Sequence, residues 1–374
     1  MNVYIPLEFS KMNGGMLQSA LSLAVELNND DSITPIAIAI EGSEVFEEFI
    51  NNNIKTIGIS FIENFDHPFI SKLITHLINN FRLYRLFSKL KLTPNDVILV
   101  NNLGFLLYFG IIPFNGNLVF ISRGGNYSGL TGYMAKFIFN YRVRKIICVS
   151  MTQEKMIRKI APKADVIIIP NGIEATTKTI NNSYCKKWDG IIHLSVIGFF
   201  NENKNQLFAL KILKGCIENY GPSFFLNFYG ESIAKSDFKY TEKLLEYIRN
   251  NRLGEYVNFH NYVKDKNLIY NNTHIVLAPS YREGFGRTII ESFLFRVPCI
   301  ASSIAGGPSD IIDDNMNGFL LDISSPNPWI DKIIQIRNNA KMRDMVINNA
   351  EMKFLKNFSI ENVGAKYITE LKGL

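Results

Sequence analysis

Ala278-Pro-Ser-Tyr-Arg-Glu-Gly-Phe-Gly-Arg-Thr-Ile-Ile-Glu291 is the stretch of this sequence that says most about fold and function. An apolar run ends at Pro279, a glycine-containing loop follows, and a helical pattern opens near Arg287. Such a junction points backbone N–H groups and a helix N-terminus at whatever lies above the sheet, which favours an anion. Glu283 in the loop and Glu291 in the helix can orient hydroxyl groups, although either alone also fits a cap or an exposed acid. We expect an anion site flanked by two carboxylates.

Short apolar segments alternate with helical patterns on both sides of this stretch. Strands are predicted at residues 2–6, 34–40, 96–101, 117–122, 145–150, 165–169, 191–198, 224–229, 257–260, 275–279, 298–302 and 318–321. Helices are predicted at residues 16–28, 71–90, 205–219, 239–251, 287–295, 309–313 and 329–338. This alternation predicts an α/β protein whose parallel sheets are covered by helices on both faces.

The length of 374 residues exceeds one ordinary core and predicts two domains. The best boundary is Pro170-Asn171-Gly172, after which a polar stretch without clear periodicity follows. We predict an N-terminal domain over 1–172, a C-terminal domain over 173–355, and a last helical segment over 356–374 that returns to the N-terminal domain. Two doubly wound domains joined in this way bind ligands in a cleft, at the carboxyl ends of their strands.

Composition excludes several classes of protein. Hydrophobic residues make up 47% and charged residues 20% of the chain, which is typical of globular rather than disordered proteins. The four cysteines are scattered without a Cys-x-x-Cys pair, so reduced, buried thiols in a reducing compartment are expected. No Asp-x-Asp motif or histidine cluster indicates a metal site, and we predict none.

The N-terminal half is basic in two places, which bears on a membrane partner. Residues 69–92 contain five lysines or arginines and no acid, and residues 136–163 contain Glu154 as the lone acid. A basic amphipathic helix can lie on an anionic membrane surface, although a core-facing helix with a solvated basic face is the alternative. The start of the sequence lacks the features of a signal peptide, and the apolar stretch 97–114 is interrupted too often to span a bilayer. No nucleic-acid motif accompanies the charge, so no nucleic-acid partner is predicted.

The motifs around the opening stretch resemble the retaining glycosyltransferase family 4, which has the GT-B fold of two Rossmann-like domains facing across a cleft. Glu283 and Glu291 match the paired-glutamate motif of that family, including Gly284-Phe285-Gly286 between them. The segments 296–303, 306–310 and 317–320 resemble the next strand, the Gly-Gly turn and the strand beyond, with Asp310 where the family usually has Glu. The resemblance is dense from about residue 195 to 322 and thin before residue 172.

A second motif opens the C-terminal half. Gly198 ends a predicted strand, and Lys204 stands six positions later, where the family has the lysine that holds the donor diphosphate. A lysine at a helix start is unfavourable beside the helix dipole unless an anion binds there. Phe199 stands where the family has an arginine, a departure that removes one expected phosphate contact.

The N-terminal half offers weaker candidates for the site. Gly14 and Gly15 resemble the first glycine-rich loop of the family, which would face the donor phosphates, and they do not form a dinucleotide fingerprint. Arg123 follows another strand and is a candidate for contact with the donor phosphate or the acceptor, a surface loop being the alternative. Glu8, just after the first strand, is a further candidate on the acceptor side.

The resemblance implies sugar transfer with retention of configuration, through Lys204, Glu283 and Arg123. A donor such as a UDP-linked N-acetylhexosamine or hexose would bind at Gly14, Gly15, Gly198, Lys204, Glu283, Gly284, Phe285, Gly286 and Glu291. The implied acceptor is a saccharide linked to a polyprenyl diphosphate, in O-antigen or lipopolysaccharide synthesis. We expect no cofactor or metal, and a cytoplasmic location at the inner face of the membrane. Two alternatives remain: a catalytically weak relative that only binds nucleotide sugars, and a Rossmann oxidoreductase, which the absent fingerprint disfavours.

Overall fold

The computed structural model describes residues 1–7, 14–60, 69–124, 127, 129–175, 186–232 and 235–374. The chain divides into two compact units, one formed by residues 1–172 with 360–374 and the other by residues 173–359. The helical segment that belongs to the first unit begins at Ile360 rather than at residue 356, because the preceding helix continues to Asn357. The first unit is therefore built from two pieces of sequence, with the second unit between them.

The first unit contains a parallel sheet of seven strands. In chain order they are β1 (Asn2–Pro6), β2 (Thr34–Ile40), β3 (Lys55–Ile59), β4 (Val97–Val100), β5 (Asn117–Ser122), β6 (Lys145–Cys148) and β7 (Val166–Ile168). The order across the sheet is β3-β2-β1-β4-β5-β6-β7, so the direction of strand addition reverses between β1 and β4. Strand β4 is buried at every position and β5 at every position after Asn117, which explains why their sequences are continuous apolar runs.

Helices connect these strands. They are α1 (Gly15–Leu27), α2 (Glu44–Asn51), α3 (Phe69–Leu90), α4 (Leu103–Ile111), α5 (Gly129–Tyr141) and α6 (Met151–Ile160). The apolar stretch that begins at Val97 thus forms a strand and then helix α4, which Asn102 caps by accepting from the Gly104 amide. Among the described residues, no helix combines the length and the apolar character needed to cross a membrane.

The second unit contains a parallel sheet of six strands. They are β8 (Ile192–Ile197), β9 (Phe224–Tyr229), β10 (Val257–His260), β11 (Ile275–Ala278), β12 (Cys299–Ser302) and β13 (Phe319–Leu321). Their order is β10-β9-β8-β11-β12-β13, and the direction of strand addition reverses between β8 and β11. In a doubly wound sheet this reversal leaves a crevice at the carboxyl ends of the two central strands.

The helices of the second unit pack on both faces of this sheet. They are α7 (Gln206–Tyr220), α8 (Lys235–Asn250), α9 (Lys266–Tyr270), α10 (Arg287–Leu294), α11 (Pro308–Ile311), α12 (Asn327–Asn338) and α13 (Ala340–Asn357), with a 3-10 turn at Glu202–Lys204. Helix α14 (Ile360–Lys372) returns to the first unit. It packs against α1, where a side chain at Gly364 would meet Glu26.

The fold confirms the α/β class expected from the sequence, with one Rossmann-like sheet in each unit. The sequence pattern predicted twelve of the thirteen strands named above, most of them to within one residue at either end. It did not predict β3, a short edge strand with Gly58 in its interior and four half-buried or exposed positions. Cys148, Cys216 and Cys299 are free and buried, as expected, and burial raises the pKa of each thiol to about 12.

Candidate active site

The candidate site lies in the second unit, at the reversal point between β8 and β11. The loop after β8 contains Gly198, and the loop after β11 runs from Pro279 to Gly286. Between them lies a small pocket whose polar wall is formed by Lys204, Ser280, Glu283 and Thr288. Val196, Leu277 and Ile289 line its apolar wall. The two sequence motifs, eighty residues apart, thus converge on one pocket.

The turn after β8 requires glycine. Gly198 has φ +141°, and a Cβ there would lie 3.3 Å from Cε of Lys204. Gly230, which follows the neighbouring strand β9, has φ +150°, and its Cβ would lie 2.1 Å from the carbonyl oxygen of Gly198. Both backbones adopt a conformation that other residues rarely tolerate, and they touch each other. This close approach leaves room for the side chain of Lys204 to lie along Gly198.

Lys204 and Glu283 form the central contact of the pocket. The Nζ atom of Lys204 lies 2.6 Å from Oε2 of Glu283, and each side chain is 22% exposed. A cation and a carboxylate held together at the mouth of a pocket, with partial access to solvent, can each exchange their partner for a ligand group. The lysine suits a phosphate, and the carboxylate suits a hydroxyl.

Three asparagines fix the segment that carries Lys204. Asn201 caps the 3-10 turn by accepting from the Lys204 amide at 3.0 Å. Asn205 adopts a left-handed conformation with φ +54° and donates to the carbonyl of Pro279 at 3.2 Å. The turn is therefore attached at its far end to the end of β11.

Asn203 joins the two loops of the site directly. Its Nδ2 donates to the carbonyl oxygen of Arg282 at 2.8 Å, and its Oδ1 accepts from the Arg282 amide at 3.0 Å. Its own carbonyl accepts from the Tyr281 amide at 2.8 Å. These three hydrogen bonds connect the residue before Lys204 to the residue before Glu283, so they set the register between the two charged side chains.

The segment around the Gly306-Gly307 turn forms backbone hydrogen bonds with the loop that contains Glu283. Glu283 donates its amide to Ala305 at 2.7 Å, and its carbonyl accepts from the amide of Gly307 at 2.9 Å. The N–H of Gly307 is therefore used by the backbone of Glu283 and is not available to a bound phosphate.

Glu291 is buried rather than open to the pocket. It lies in α10 with a side-chain exposure of 4%, and both carboxylate oxygens have partners. Arg287 donates to Oε1 at 3.0 Å, and the hydroxyl of Tyr270 donates to Oε2 at 2.8 Å. Burial, with the nearby Glu291 carboxylate, raises the pKa of Tyr270 well above its ordinary value, so its hydroxyl keeps its proton. A ribose hydroxyl would have to share Glu291 with these two donors.

The remaining residues of the two motifs form the frame of the site. Phe285 is 5% exposed and contacts the ring of Phe358, and Gly286 begins α10 with φ +112°. Gly284 lies between Glu283 and Phe285 in the same loop. Phe199 is half-buried, and its carbonyl accepts from the side chain of Gln206 at 2.9 Å. A phenylalanine at this position offers no charge to a phosphate.

Candidates in the first unit are found at the carboxyl ends of β1 and β5. Gly14 and Gly15 form the start of α1, where a Cβ on Gly14 would meet nothing within 4 Å. Arg123 follows β5 and donates to Oδ1 of Asn171. Burial raises the pKa of Tyr367 in α14, and the positive charge of Arg123 lowers it in part. Arg123 therefore has contacts within the packing of its own unit. Glu8 lies outside the described residues.

Sequence reasoning missed four residues that organise the site, namely Asn201, Asn203, Asn205 and Tyr270. The repeat of asparagine at 201, 203 and 205, beside the predicted diphosphate lysine, was a usable signal for the segment that holds Lys204. Tyr270 gave no signal, because it stands twenty-one positions before Glu291 in a short helix with no motif of its own.

Comparison with known proteins supports a glycosyltransferase of the GT-B fold. The crystal structure of Anabaena Alr3699/HepE in complex with UDP and glucose superimposes with a TM-score of 0.81 over 100% of both chains, at 16% identity. That likeness extends over both units and shows the GT-B fold. Residues 188–353, which include the whole candidate site, match the model of a family described as "Glycosyl transferases group 1".

Two curated relatives match parts of the chain. Poly(ribitol-phosphate) alpha-N-acetylglucosaminyltransferase of Staphylococcus aureus (strain COL) is 29% identical over 140 residues, which are 37% of this chain and 27% of that protein. GalNAc-alpha-(1->4)-GalNAc-alpha-(1->3)-diNAcBac-PP-undecaprenol alpha-1,4-N-acetyl-D-galactosaminyltransferase of Campylobacter jejuni is 26% identical over 172 residues, 46% of this chain and 45% of that protein. The chain thus covers less than half the length of either relative.

Proposed function

We propose that this protein is a retaining glycosyltransferase of family 4, which moves a sugar from a nucleotide diphosphate donor to a saccharide acceptor. The ion pair between Lys204 and Glu283 carries the proposal, because it lies at the reversal point of a doubly wound sheet. That is the place where such sheets bind nucleotides. The family match over residues 188–353 supports the same conclusion.

The donor is a UDP-linked N-acetylhexosamine or hexose in this proposal. Both curated relatives are named for the transfer of an N-acetylhexosamine, and the Anabaena structure holds UDP and glucose. On donor binding the diphosphate takes Lys204 from Glu283, and Glu283 turns to a sugar hydroxyl. Glu291 holds the ribose by sharing its carboxylate with Tyr270 and Arg287.

The acceptor is a saccharide on a polyprenyl diphosphate, in the synthesis of O-antigen, lipopolysaccharide or another surface polysaccharide. The name of the Campylobacter relative, which contains an undecaprenol diphosphate-linked saccharide, supports this choice. Such a carrier places the reaction at the inner face of the cytoplasmic membrane, which the protein approaches from the cytoplasm. The candidates for the acceptor side are Arg123 and Glu8.

The proposed mechanism needs no protein nucleophile. The acceptor hydroxyl attacks the anomeric carbon on the face from which the diphosphate leaves, and its proton passes to the leaving phosphate. Catalysis then consists of positioning and of stabilising the negative charge that develops on the diphosphate, which is the task of Lys204. We propose that no metal takes part.

The test combines binding with product analysis on the full chain. Calorimetry with UDP, followed by mass spectrometry of the products from a panel of nucleotide sugars and a lipid-linked acceptor, should show UDP binding and transfer of one sugar. The anomeric configuration of the product should equal that of the donor by NMR. Transfer should continue in excess EDTA. A chain that binds neither UDP nor any nucleotide sugar would rule out the proposed function.

A catalytically weak binding protein is the second candidate, and Phe199 is the observation that favours it. The half-buried ring occupies the position of an expected phosphate ligand and leaves Lys204 as the only basic residue of that motif. Tight binding of UDP without transfer to any acceptor would favour this candidate over the enzyme.

A further inference from the structure

Two helices of the first unit carry exposed aromatic stripes. The outward faces of α3 and α5 present large side chains at spacings of three or four residues, which places them on one side of each helix. They are Ile78, Phe81 and Tyr84 in α3, and Tyr133, Phe137 and Tyr141 in α5. The opposite sides are buried in the core, with Leu83 and Phe87 in α3 and Ala135 and Phe139 in α5. We call the two stripes together the α3/α5 face.

The exposure of these rings is unusually high. Tyr133 is 77% exposed, Tyr141 64%, Phe81 62% and Phe137 61%. Among the described residues of the first unit, every aromatic side chain with large exposure lies on α3 or α5. Single exposed apolar residues are ordinary on a protein surface, whereas several exposed rings on the same side of a helix mark a surface that binds something.

The two stripes belong to one layer of helices. Helix α4 lies between α3 and α5, and the ring of Phe87 in α3 packs edge-on against Phe109 in α4, with centroids 4.8 Å apart. On the other side, a Cβ on Gly110 of α4 would lie 2.2 Å from Cδ1 of Ile138 in α5, so these helices touch. Both stripes are therefore presented by the same side of the unit.

The charge of this region has one sign. Between Asp66 and Glu154 the sequence has ten lysines or arginines and a single acid, Asp96. Asp96 is 4% exposed, and its carboxylate accepts from the amides of Thr93 and Asn2, so it contributes nothing to the surface. By contrast Arg85, Lys89, Lys136 and Arg144 are exposed. In the part of the chain that the structure describes, no acidic side chain forms an ion pair with Lys136 or Arg144.

We propose that the α3/α5 face binds the surface of an anionic lipid bilayer, with its rings inserted at the level of the headgroups. Aromatic side chains, tyrosine above all, suit this boundary because one end is apolar and the other polar. Lysines and arginines beside the rings pair with lipid phosphates. Attachment therefore has two components, one electrostatic and one apolar. The inference extends the membrane location proposed above and does not depend on the sugar-transfer chemistry.

The two components respond differently to salt. Attraction between the exposed bases and the lipid phosphates is screened over about 8 Å at physiological ionic strength and over about 3 Å at 1 M salt. Apolar insertion is not screened. The full chain should therefore bind vesicles of equimolar phosphatidylglycerol and phosphatidylcholine at low salt, and part of the bound protein should remain on them at high salt. Vesicles of phosphatidylcholine alone should bind far less.

The deciding variant replaces the three rings of α5 by serine: Tyr133→Ser, Phe137→Ser and Tyr141→Ser together. Because these rings are largely exposed, the fold should tolerate the change. Partition onto the anionic vesicles should fall by about tenfold or more, and the salt-resistant fraction should disappear. The matched control, Tyr220→Ser with Phe238→Ser, removes exposed rings from the second unit and should bind like the parent. Equal binding by the α5 variant and the parent would overturn the proposal.

A fluorescent reporter tests insertion directly. Both tryptophans of the chain, Trp188 and Trp329, lie in the second unit, so Phe137→Trp places a reporter in the α3/α5 face. Its emission should shift to the blue with anionic vesicles, and the shift should persist at high salt. Absence of a shift would mean that the face remains in water and would overturn the proposal. A shift without lipid, together with dimer formation on a sizing column, would mean that the face binds another copy of the chain and would overturn it too. UDP calorimetry on the same variants tests the proposed function separately, because a parent that fails to bind UDP can still bind vesicles.

Discussion

At the scale of single residues, the site depends on one exchangeable contact. Lys204 and Glu283 neutralise each other at 2.6 Å while both remain partly open to solvent. A surface ion pair of this exposure contributes little to stability, on the order of 1 kcal/mol or less. Either partner can therefore be changed without unfolding the protein, which makes the pair suitable for separating the binding role of the lysine from the role of the carboxylate.

Replacing the lysine should slow transfer strongly. In Lys204→Met the developing charge on the diphosphate loses its preorganised cation, and turnover should fall by about 100- to 1000-fold. Steady-state transfer at saturating donor measures this effect, and thermal unfolding should be nearly unchanged. Lys211→Met, an exposed lysine of α7, removes the same charge from the same unit and should retain activity. Parent-like turnover in Lys204→Met would contradict the role given to this residue.

Replacing the carboxylate should have opposite effects on binding and on transfer. In Glu283→Gln the carboxylate that pairs with Lys204 is gone, so it no longer competes with the diphosphate of UDP for the lysine. UDP should therefore bind to this variant at least as tightly as to the parent. Transfer should fall by about tenfold or more, because a hydrogen bond to a charged group contributes about 1.5–3 kcal/mol. Calorimetry and transfer assays measure the two effects. Weaker UDP binding by Glu283→Gln would show that the carboxylate serves the nucleotide instead.

Another residue-scale feature predicts a dependence on pH. Burial lowers the pKa of Lys186 to about 7, although its Nζ donates to the carbonyls of Tyr270 and Thr273. An unfolded lysine titrates near 10.4, so above pH 7 the unfolded chain binds more protons than the folded one, and the unfolding free energy should rise with pH. The useful window is about pH 7 to 8.5, since the buried thiols begin to oppose the trend above it. Denaturant unfolding of Lys186→Met should show a smaller slope across this window, and equal slopes would contradict the lowered pKa.

The sequence singled out the charged residues of the candidate site but not their surroundings. Lys204 and Glu283 belong to spaced motifs that follow predicted strands, and the structure brings their side chains together after β8 and β11. The burial of Glu291 beneath Tyr270 and Arg287 did not follow, because it depends on how α9 packs against α10. Contacts of this kind are set by packing between elements, and no local pattern records them.

At the scale of elements, the asparagine-rich turn acts as a connector between two loops. Asn203 exchanges three hydrogen bonds with residues 281 and 282, whereas Asn201 and Asn205 hold the ends of the turn. The connection fixes the distance between Lys204 and Glu283 through uncharged groups, namely the side-chain amide of Asn203 and the backbone. Asn203 is therefore a positioning residue and not part of the chemistry.

Removing this connector should lower transfer without removing a charge. Asn203→Ala loses both side-chain hydrogen bonds to Arg282, so the loop of Glu283 gains freedom, and kcat should fall by about tenfold or more, since displacements near 1 Å cost up to 100-fold. UDP affinity should change much less, because Lys204 remains. Asn349→Ala, which removes one side-chain hydrogen bond elsewhere in the same unit, serves as the control. A normal kcat in Asn203→Ala would show that the loop holds its register without the asparagine.

Elements were predictable where they were apolar and long. The central strands alternate with amphipathic helices, so their order and approximate ends could be read from the sequence. The stretch after Val97 was harder, since α4 is apolar on nearly every side and shows no helical stripe. Edge strand β3 was missed for the opposite reason, because it is short, partly exposed and contains a glycine.

At the scale of the whole molecule, the chain passes from the first unit to the second and back. Helix α14 returns to the first unit, where Tyr367 is 2% exposed and Lys145 lies 2.5 Å from Glu370. Burial raises the pKa of Tyr367 to about 12. The first unit therefore depends on a helix that is encoded after the second unit.

Damage to this helix should affect the two units differently. Tyr367→Ala leaves a cavity in the first unit, which should lose about 3–5 kcal/mol of unfolding free energy. Tyr367→Phe keeps the ring and should lose much less. Since both tryptophans lie in residues 173–359, their fluorescence should report an unchanged unfolding midpoint for the second unit. Hydrogen exchange in β1–β7 should become faster, and equal exchange in the alanine variant and the parent would contradict the prediction.

The return of α14 also has a consequence for biosynthesis. A ribosome makes residues 173–359 before it reaches Ile360, and domains generally fold as they emerge, N-terminal parts first. The first unit therefore cannot complete its packing until the second unit has been made. During that time the surface of α1 that contacts α14 is uncovered. A released chain that ends at residue 359 should therefore have a second unit that resists protease and a first unit that is cut. Addition of the next fifteen residues should restore protection to both.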